Sequence, residues 1–164
     1  MKPGLAASTA VWLAVGLGIG RWAPFAPGTF GTLLGLPVAR GIARLDGPIL
    51  QTISLVGLCV AGVFIVNAAL PHLGGSKDPG CVVIDEIAGL AITFYLIPPT
   101  SWTVAFLGFL LFRLFDITKP PPARNLEKLS DGLGVMADDW AAGIYANLAL
   151  RGILTFAPSQ WFAF

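Results

Sequence analysis

Long apolar runs, broken by short stretches rich in proline and glycine, fill the sequence from Leu5 to Ala157. Gly47 to Leu70 is the cleanest: 24 residues without a charge. As a helix it would be about 36 Å long, enough to cross a bilayer core of about 30 Å with some tilt. Leu5 to Gly20, behind Lys2, is read as a retained helix lying in or dipping into a bilayer, because no small-x-small cleavage pattern follows it. Arg21 to Gly28, with Pro24 and Pro27, is a connector, and Thr29 to Arg44 is a second apolar segment. Asp46-Gly47-Pro48 makes a turn. Pro71 to Cys81 reads as a polar loop, and Val82 to Ile97 as an apolar run that opens with Asp85 and Glu86. Pro98-Pro99 breaks that run. Thr100 to Phe112 follows, with Arg113, Asp116 and Lys119 continuing at helical spacing until Pro120-Pro121-Pro122 forces extended backbone. The stretch from Ala123 to Ala137 is charged and carries Gly132 and Gly134; Asp138-Asp139 then opens the last apolar segment, Trp140 to Ala157.

Composition assigns these runs to a membrane. The chain has 164 residues, 55% of them hydrophobic and 12% charged, with mean hydropathy +0.79. Soluble domains average about a quarter charged residues. The expectation is one domain over 1–164: an all-α, polytopic membrane helical bundle with short or re-entrant helices around an acidic site. A net charge of +1 with no basic stripe gives no case for nucleic acid. Cys59, Cys81 and the lone His72 fit neither a disulfide framework nor a zinc site.

Alternating helices near 29–45, 48–70, 83–97, 100–118 and 138–157 would place residues 21–28, 71–82 and 119–137 on one side. That side holds Arg21, Lys77, Lys119, Arg124 and Lys128, against Arg40 and Arg44 on the other. The positive-inside rule makes the first side cytoplasmic. Trp22 and Trp140 would mark one interface, Trp102 and Trp161 the other. The segments flanking Pro98-Pro99 are short, and a hairpin that dips in and returns gives the same parity.

Carboxylates beside lipid are costly and require a partner or a task. Asp85-Glu86 and Asp138-Asp139 each open a hydrophobic segment, and two adjacent pairs exceed what capping requires, since one cap uses one residue. Hard oxygen ligands of this kind suit Mg²⁺. Lys119 and Arg124 are placed to clamp phosphate oxygens, and Arg113 to pair with Asp116 at i,i+3. The Pro27-Gly28-Thr29-x-Gly31-Thr32 segment is either a loop entering a helix or an anion-binding nest. Together these predict metal-assisted phosphate chemistry at a membrane surface. Other phosphatase patterns are missing: no Cys-x5-Arg, no second histidine, no Asp-x-Asp-x-Thr. The rival from another class is a small transporter or channel, whose carboxylates would lie mid-helix as an ion pathway.

Four stretches carry a more specific signal: Ala26-Pro-Gly-Thr-Phe-Gly-Thr-Leu33, Asp78-Pro-Gly-Cys-Val-Val-Ile-Asp-Glu-Ile-Ala-Gly89, Phe112-Arg-Leu-Phe-Asp-Ile-Thr-Lys-Pro120 and Asp131-Gly-Leu-Gly-Val-Met-Ala-Asp-Asp-Trp-Ala-Ala-Gly143. In this order the chain resembles the phosphatidylglycerophosphatase A family over about residues 24–150. Cys81 stands where a polar residue is the family's usual choice, and Pro121-Pro122-Ala123 replaces a Trp-Pro-Ile-type run. The resemblance implies a multi-pass Mg²⁺-dependent phosphatase of the bacterial inner membrane, with its site facing the cytoplasm, that converts phosphatidylglycerophosphate to phosphatidylglycerol. Asp85, Glu86, Asp138 and Asp139 would hold one or two Mg²⁺, with Asp85, Asp116 and Asp139 in catalytic roles. Thr29, Thr32, Arg113, Lys119 and Arg124 would bind the lipid phosphate. A phosphatase for another lipid or isoprenoid phosphate is the alternative within this chemistry.

Overall fold

The computed structural model describes residues 4–23, 25–74 and 76–156. Among these residues there are eight helices and no strand: α1 (Leu5–Ala14), α2 (Ile19–Trp22), α3 (Pro27–Ala43), α4 (Gly47–Ala69), α5 (Ile84–Thr93), α6 (Trp102–Thr118), α7 (Ala123–Leu126) and α8 (Asp131–Phe156). The apolar run beginning at Leu5 does not stay helical to Gly20. Gly16, Leu17 and Gly18 take positive φ and split it into α1 and α2.

One helix among the described residues, Gly47–His72 with its final 3-10 turn, is long and apolar enough to cross a bilayer. Its 26 residues have mean hydropathy 2.4 in the most apolar window. Ile49, Leu50, Ile53, Val56, Val60 and Phe64 leave one flank of α4 exposed. The other long helices add Phe106, Leu110, Leu114 and Ile117 on α6 and Ile144 and Leu148 on α8 to the exposed apolar surface. α5 is too short to cross alone: its 10 residues span about 15 Å. Its C-terminus is sealed by α8, where the Asn147 side-chain amide donates to the carbonyls of Thr93 (2.9 Å) and Tyr95 (3.0 Å) and Arg151 donates to Tyr95 (2.8 Å). These side chains satisfy carbonyls at the end of α5 that have no partner within the helix.

Small residues bring the helices close, as they do where the hydrophobic effect cannot drive association. A Cβ on Gly143 of α8 would collide with the Gly89 carbonyl oxygen of α5 and lie 3.0 Å from Ile92 Cβ. On Gly35 of α3 it would lie 2.9 Å from Leu90 Cβ of α5. Leu90, Ala91, Phe94, Phe112, Ala142 and Leu150 form the main buried cluster around these crossings.

α8 begins seven residues before the expected Asp138. Glycine disfavours a helix interior by about 1 kcal/mol, which is why Gly132 and Gly134 read as flexible. Here their smallness lets α8 dock: a Cβ on Gly132 would lie 2.6 Å from the Val63 carbonyl oxygen of α4. The Gly132 N–H also donates to Asn67 Oδ1 at 2.6 Å. Asp138 and Asp139 therefore stand two turns inside α8, not at its start. Trp140 shifts with them and packs against the cluster of Val66, Val135 and Met136, not at a helix end. Trp22 and Trp102 are exposed; Trp161 lies outside the described residues.

Candidate functional site

α4 and α8 run antiparallel, with Asn67 beside Gly132 and Gly62 beneath Met136. Asp139, three residues beyond Met136, is therefore roughly level with Cys59, near the middle of the Gly47–His72 helix. Two other helices reach the same level. α5 starts there, and the first turn of α3 abuts it: a Cβ on Gly28 would lie 2.5 Å from Glu86 Oε1 and 2.9 Å from Arg113 Nη1. α6 approaches from the opposite direction and delivers Arg113 and Asp116. Parts of the segments 21–28, 71–82 and 119–137 meet around it: Gly28 lies beside Glu86, and Lys119 beside Asp138. Lys77 Nζ ties two of them by donating to the Glu127 carbonyl at 3.0 Å.

Asp85, Glu86 and Asp139 each place a carboxylate oxygen within 4.8 Å of the other two. Asp85 and Asp139 are buried and Glu86 is half-buried. Glu86 Oε2, Asp139 Oδ2 and Asp138 Oδ1 are buried with no hydrogen-bond partner among the described residues. Capping does not explain these groups. Val83, not Asp85, is the N-cap of α5, and Asp85 Oδ1 accepts the N–H of its neighbour Glu86, at 3.1 Å. The α5 N-terminus contributes partial positive charge beside Asp85 and Glu86, but that is small against the mutual repulsion. At an effective dielectric of about 20, two carboxylate charges this far apart repel by about 3 kcal/mol. Three such pairs rival the entire stability of a typical domain. A cation in their midst removes the conflict, and the all-oxygen donor set fits a hard divalent ion.

Asp138 takes a different partner. Its Oδ2 accepts from Lys119 Nζ at 2.7 Å, and Lys119 also lies 3.4 Å from Glu127 Oε2. Lys119 is the C-cap of α6 and adopts a left-handed conformation (φ 43°, ψ 60°). Such a conformation costs a non-glycine residue about 1 kcal/mol or more; it turns the ammonium group back toward α8. Partial burial works against the Lys119 charge, but the hydrogen bond and charge of Asp138, with Glu127, raise its pKa above the ordinary lysine value. Arg113 donates to Asp116 in the i,i+3 pair the spacing predicts, and both side chains are largely buried. Asp116 acts electrostatically on both Glu86 and Asp139.

The remaining sequence-predicted residues divide. Thr29 is half-buried in the first turn of α3, next to Gly28. Thr32 is fully buried, and its Oγ1 donates to the Gly28 carbonyl at 2.7 Å. Its proton is therefore spent inside the helix. The Pro-Gly-Thr segment is helical, with Pro27 at the first position, and not an open nest. Arg124 is exposed on α7 and forms no ion pair among the described residues. Sequence reasoning missed two supports of this site. Asn67, which anchors α8, had a signal: it is the single amide late in an otherwise apolar run. Gly28, which lets α3 touch Glu86 and Arg113, reads in the sequence as part of a loop or an anion nest and not as a packing contact.

With the geometry described, the comparisons with known proteins are decisive on one point. The family described as Phosphatidylglycerophosphatase A matches residues 12–154. The chain belongs to that family. It is 33% identical over 150 residues to phosphatidylglycerophosphatase A of Escherichia coli (strain K12), covering 91% of this chain and 83% of the relative. It is 38% identical over 150 residues to phosphatidylglycerophosphatase A of Haemophilus influenzae, covering 91% and 88%. A putative phosphatidylinositol-3-phosphatase of Bacteroides thetaiotaomicron is 37% identical over 147 residues, covering 85% and 90%. No solved structure is significantly similar to the chain. Membership of this phosphatase family takes over the case against an ion pathway. Helix-end placement no longer makes that case, because Asp138 and Asp139 are interior to α8.

Proposed function

We propose that this chain hydrolyses phosphatidylglycerophosphate to phosphatidylglycerol and phosphate, using Mg²⁺ held by Asp85, Glu86 and Asp139. The observation that carries the reading is the convergence of these three carboxylates, with orphaned buried oxygens, in a chain whose family is named for that reaction. Bound Mg²⁺ would supply positive charge for the phosphoryl oxygens and make a bound water more acidic. Lys119 and Arg124 bind the phosphate, with the Thr29 hydroxyl beside them. Asp138 holds Lys119 in position. Asp116, fixed by Arg113, orients the attacking water and takes its proton as the water oxygen bonds to phosphorus; the bond from phosphorus to the glycerol oxygen breaks, and that oxygen takes up a proton from solvent to leave as the hydroxyl.

The exposed apolar flanks of α4, α6 and α8 support a multi-pass protein of the bacterial inner membrane. In it the half-length α5 enters only part of the bilayer. The cationic loops around Lys77, Lys119, Arg124 and Lys128 face the cytoplasm in this reading. The acyl end of the substrate then stays at the level of the hydrocarbon while its head reaches the site.

A second reading, a phosphatase for a different phosphorylated lipid, draws on the Bacteroides relative. Phosphate release by the purified protein from phosphatidylglycerophosphate, phosphatidylinositol 3-phosphate and phosphatidic acid, with Mg²⁺ and after chelation, separates the two. The expected result is Mg²⁺-dependent release at least tenfold faster from phosphatidylglycerophosphate. Faster release from the inositol lipid would replace the first reading with the second; release that survives chelation would remove the metal from either.

A further inference from the structure

α7 separates two hollows of opposite character. On one side is an apolar groove of about 640 Å³ lined by Pro122, Leu126, Leu133, Ala137, Ala141 and Ile144. On the other is a polar hollow of about 430 Å³ lined by Lys77, Arg124 and Lys128 together with the acidic Asp78 and Glu127. A short helix with an apolar face and a cationic face is what the boundary between hydrocarbon and lipid headgroups favours.

The register of α8 links the groove to the carboxylates. Leu133, Ala137, Ala141 and Ile144 fall within about 80° of one another around the helix, at about 100° per residue. Asp138 follows about 100° round from Ala137, and Asp139 about 200° round, facing α5. Moving round α8, one therefore meets the apolar groove, then Asp138 with Lys119, then the cluster of Asp85, Glu86 and Asp139. The roof of the groove is fixed to the same helix, because Tyr145 Oη donates to the Pro121 carbonyl at 2.9 Å and Tyr145 packs on Phe115. Leu133 and Ile144 are exposed, so the groove opens on the apolar flank of the protein.

We infer that this groove seats one acyl chain of a single phosphorylated phospholipid, whose phosphate is received by Lys119 and Arg124 at the groove's edge. The inference rests on the lipid phosphatase reading and specifies how the substrate enters: sideways from the bilayer, chain first along α8, with the head turning round the helix toward the carboxylates. Charge decides the occupant. A wholly apolar partner helix would leave Arg124 of α7, which forms no ion pair among the described residues, unanswered, and a soluble phosphate ester would leave the groove empty. A phospholipid answers both. Chain contact with the groove should appear as a preference for long-chain over short-chain substrates.

The test is hydrolysis of long-chain and short-chain phosphatidylglycerophosphate by the full-length protein in mixed micelles. Ala141→Trp fills the groove and is expected to reduce the long-chain preference about tenfold. Ile144→Trp, on the exposed lip, tests the same space should Ala141→Trp fail to fold. Leu110→Trp, on the outer flank of α6, keeps the wild-type preference. A second arm does not require turnover: a long-chain phosphatidic acid with a photoreactive group on the acyl chain is expected to label Leu133 and Ile144, and less so in Ala141→Trp. Undiminished long-chain preference in both groove variants overturns the inference, as does photolabel spread evenly over α4, α6 and α8. A wild-type protein that is labelled in the groove but releases no phosphate from phosphatidylglycerophosphate counts against the proposed reaction and not against the groove.

Discussion

Asp139→Asn is expected to lower Mg²⁺-dependent phosphate release on the order of a thousandfold while making the metal-free protein more resistant to heat. The first effect follows from removing an anionic ligand at the place where transition-state charge must be balanced; single electrostatic contributors of this kind are worth about 10²–10³ in rate. The second follows from repulsion. Asp139 takes part in two of the three carboxylate pairs among Asp85, Glu86 and Asp139, each worth about 3 kcal/mol at an effective dielectric of about 20. Neutralising it relieves the apo-protein, so unfolding in chelator should shift upward, by about 2–4 °C for each kcal/mol of repulsion removed. Added Mg²⁺ should stabilise the variant less than the wild type. A purely structural aspartate would behave in the opposite way, because its loss would lower the midpoint in chelator. Phosphate-release assays and thermal unfolding of the same detergent-purified samples read both effects. Near-normal release, or a lowered midpoint in chelator, would remove Asp139 from the metal set.

Gly143→Leu is expected to abolish activity by another route, with every carboxylate still in the chain. The Gly143 and Gly89 backbones touch where α8 crosses α5, and a Cβ on Gly143 would strike the Gly89 carbonyl oxygen. A Cβ on Gly89 would in turn lie 2.8 Å from the Asp139 carbonyl oxygen and 2.5 Å from Phe112 Cε2. This crossing therefore sets the distance between the α5 pair and Asp139. Overpacking a tight interior costs about 1–3 kcal/mol when side chains can give; a backbone carbonyl cannot, so the cost should reach the upper end or exceed it. The expected outcome is low yield of folded protein, a midpoint lowered by several degrees and no Mg²⁺-dependent release. Gly143→Ala should fall between it and the wild type. A leucine variant with wild-type midpoint and activity would mean that the α5–α8 crossing does not set the site's geometry.

Much of this arrangement was legible in the chain, and the exceptions share a cause. The long apolar helix from Gly47, the breaks at Pro98-Pro99 and Pro120, and the Arg113–Asp116 pair rest on local chemistry: absence of charge, loss of a backbone donor, helical spacing. α8 could not be bounded in that way. Gly132 and Gly134 argue locally against a helix, and only the docking onto Val63 and Asn67 of α4 reverses that preference. The consequence for the site is direct. With the helix starting at Asp131, Asp138 and Asp139 separate by about 100°. One faces Lys119 and the other faces Asp85 and Glu86, a division of labour that adjacency in sequence conceals. Thr32 illustrates the same limit: its spacing from Thr29 fits an anion nest, but its hydroxyl is consumed by the Gly28 carbonyl once Pro27 starts a helix.

The central physical claim is that carboxylates from α5 and α8 share one divalent cation. Mn²⁺, titrated into the detergent-purified protein and followed by electron paramagnetic resonance, tests it most directly. The expected result is saturable binding that Mg²⁺ displaces, weakened at least tenfold in Asp85→Asn and in Asp139→Asn alike and little changed in Asp46→Asn, which lies in the turn before α4. Equal Mn²⁺ affinity in the wild type and both site variants would contradict it.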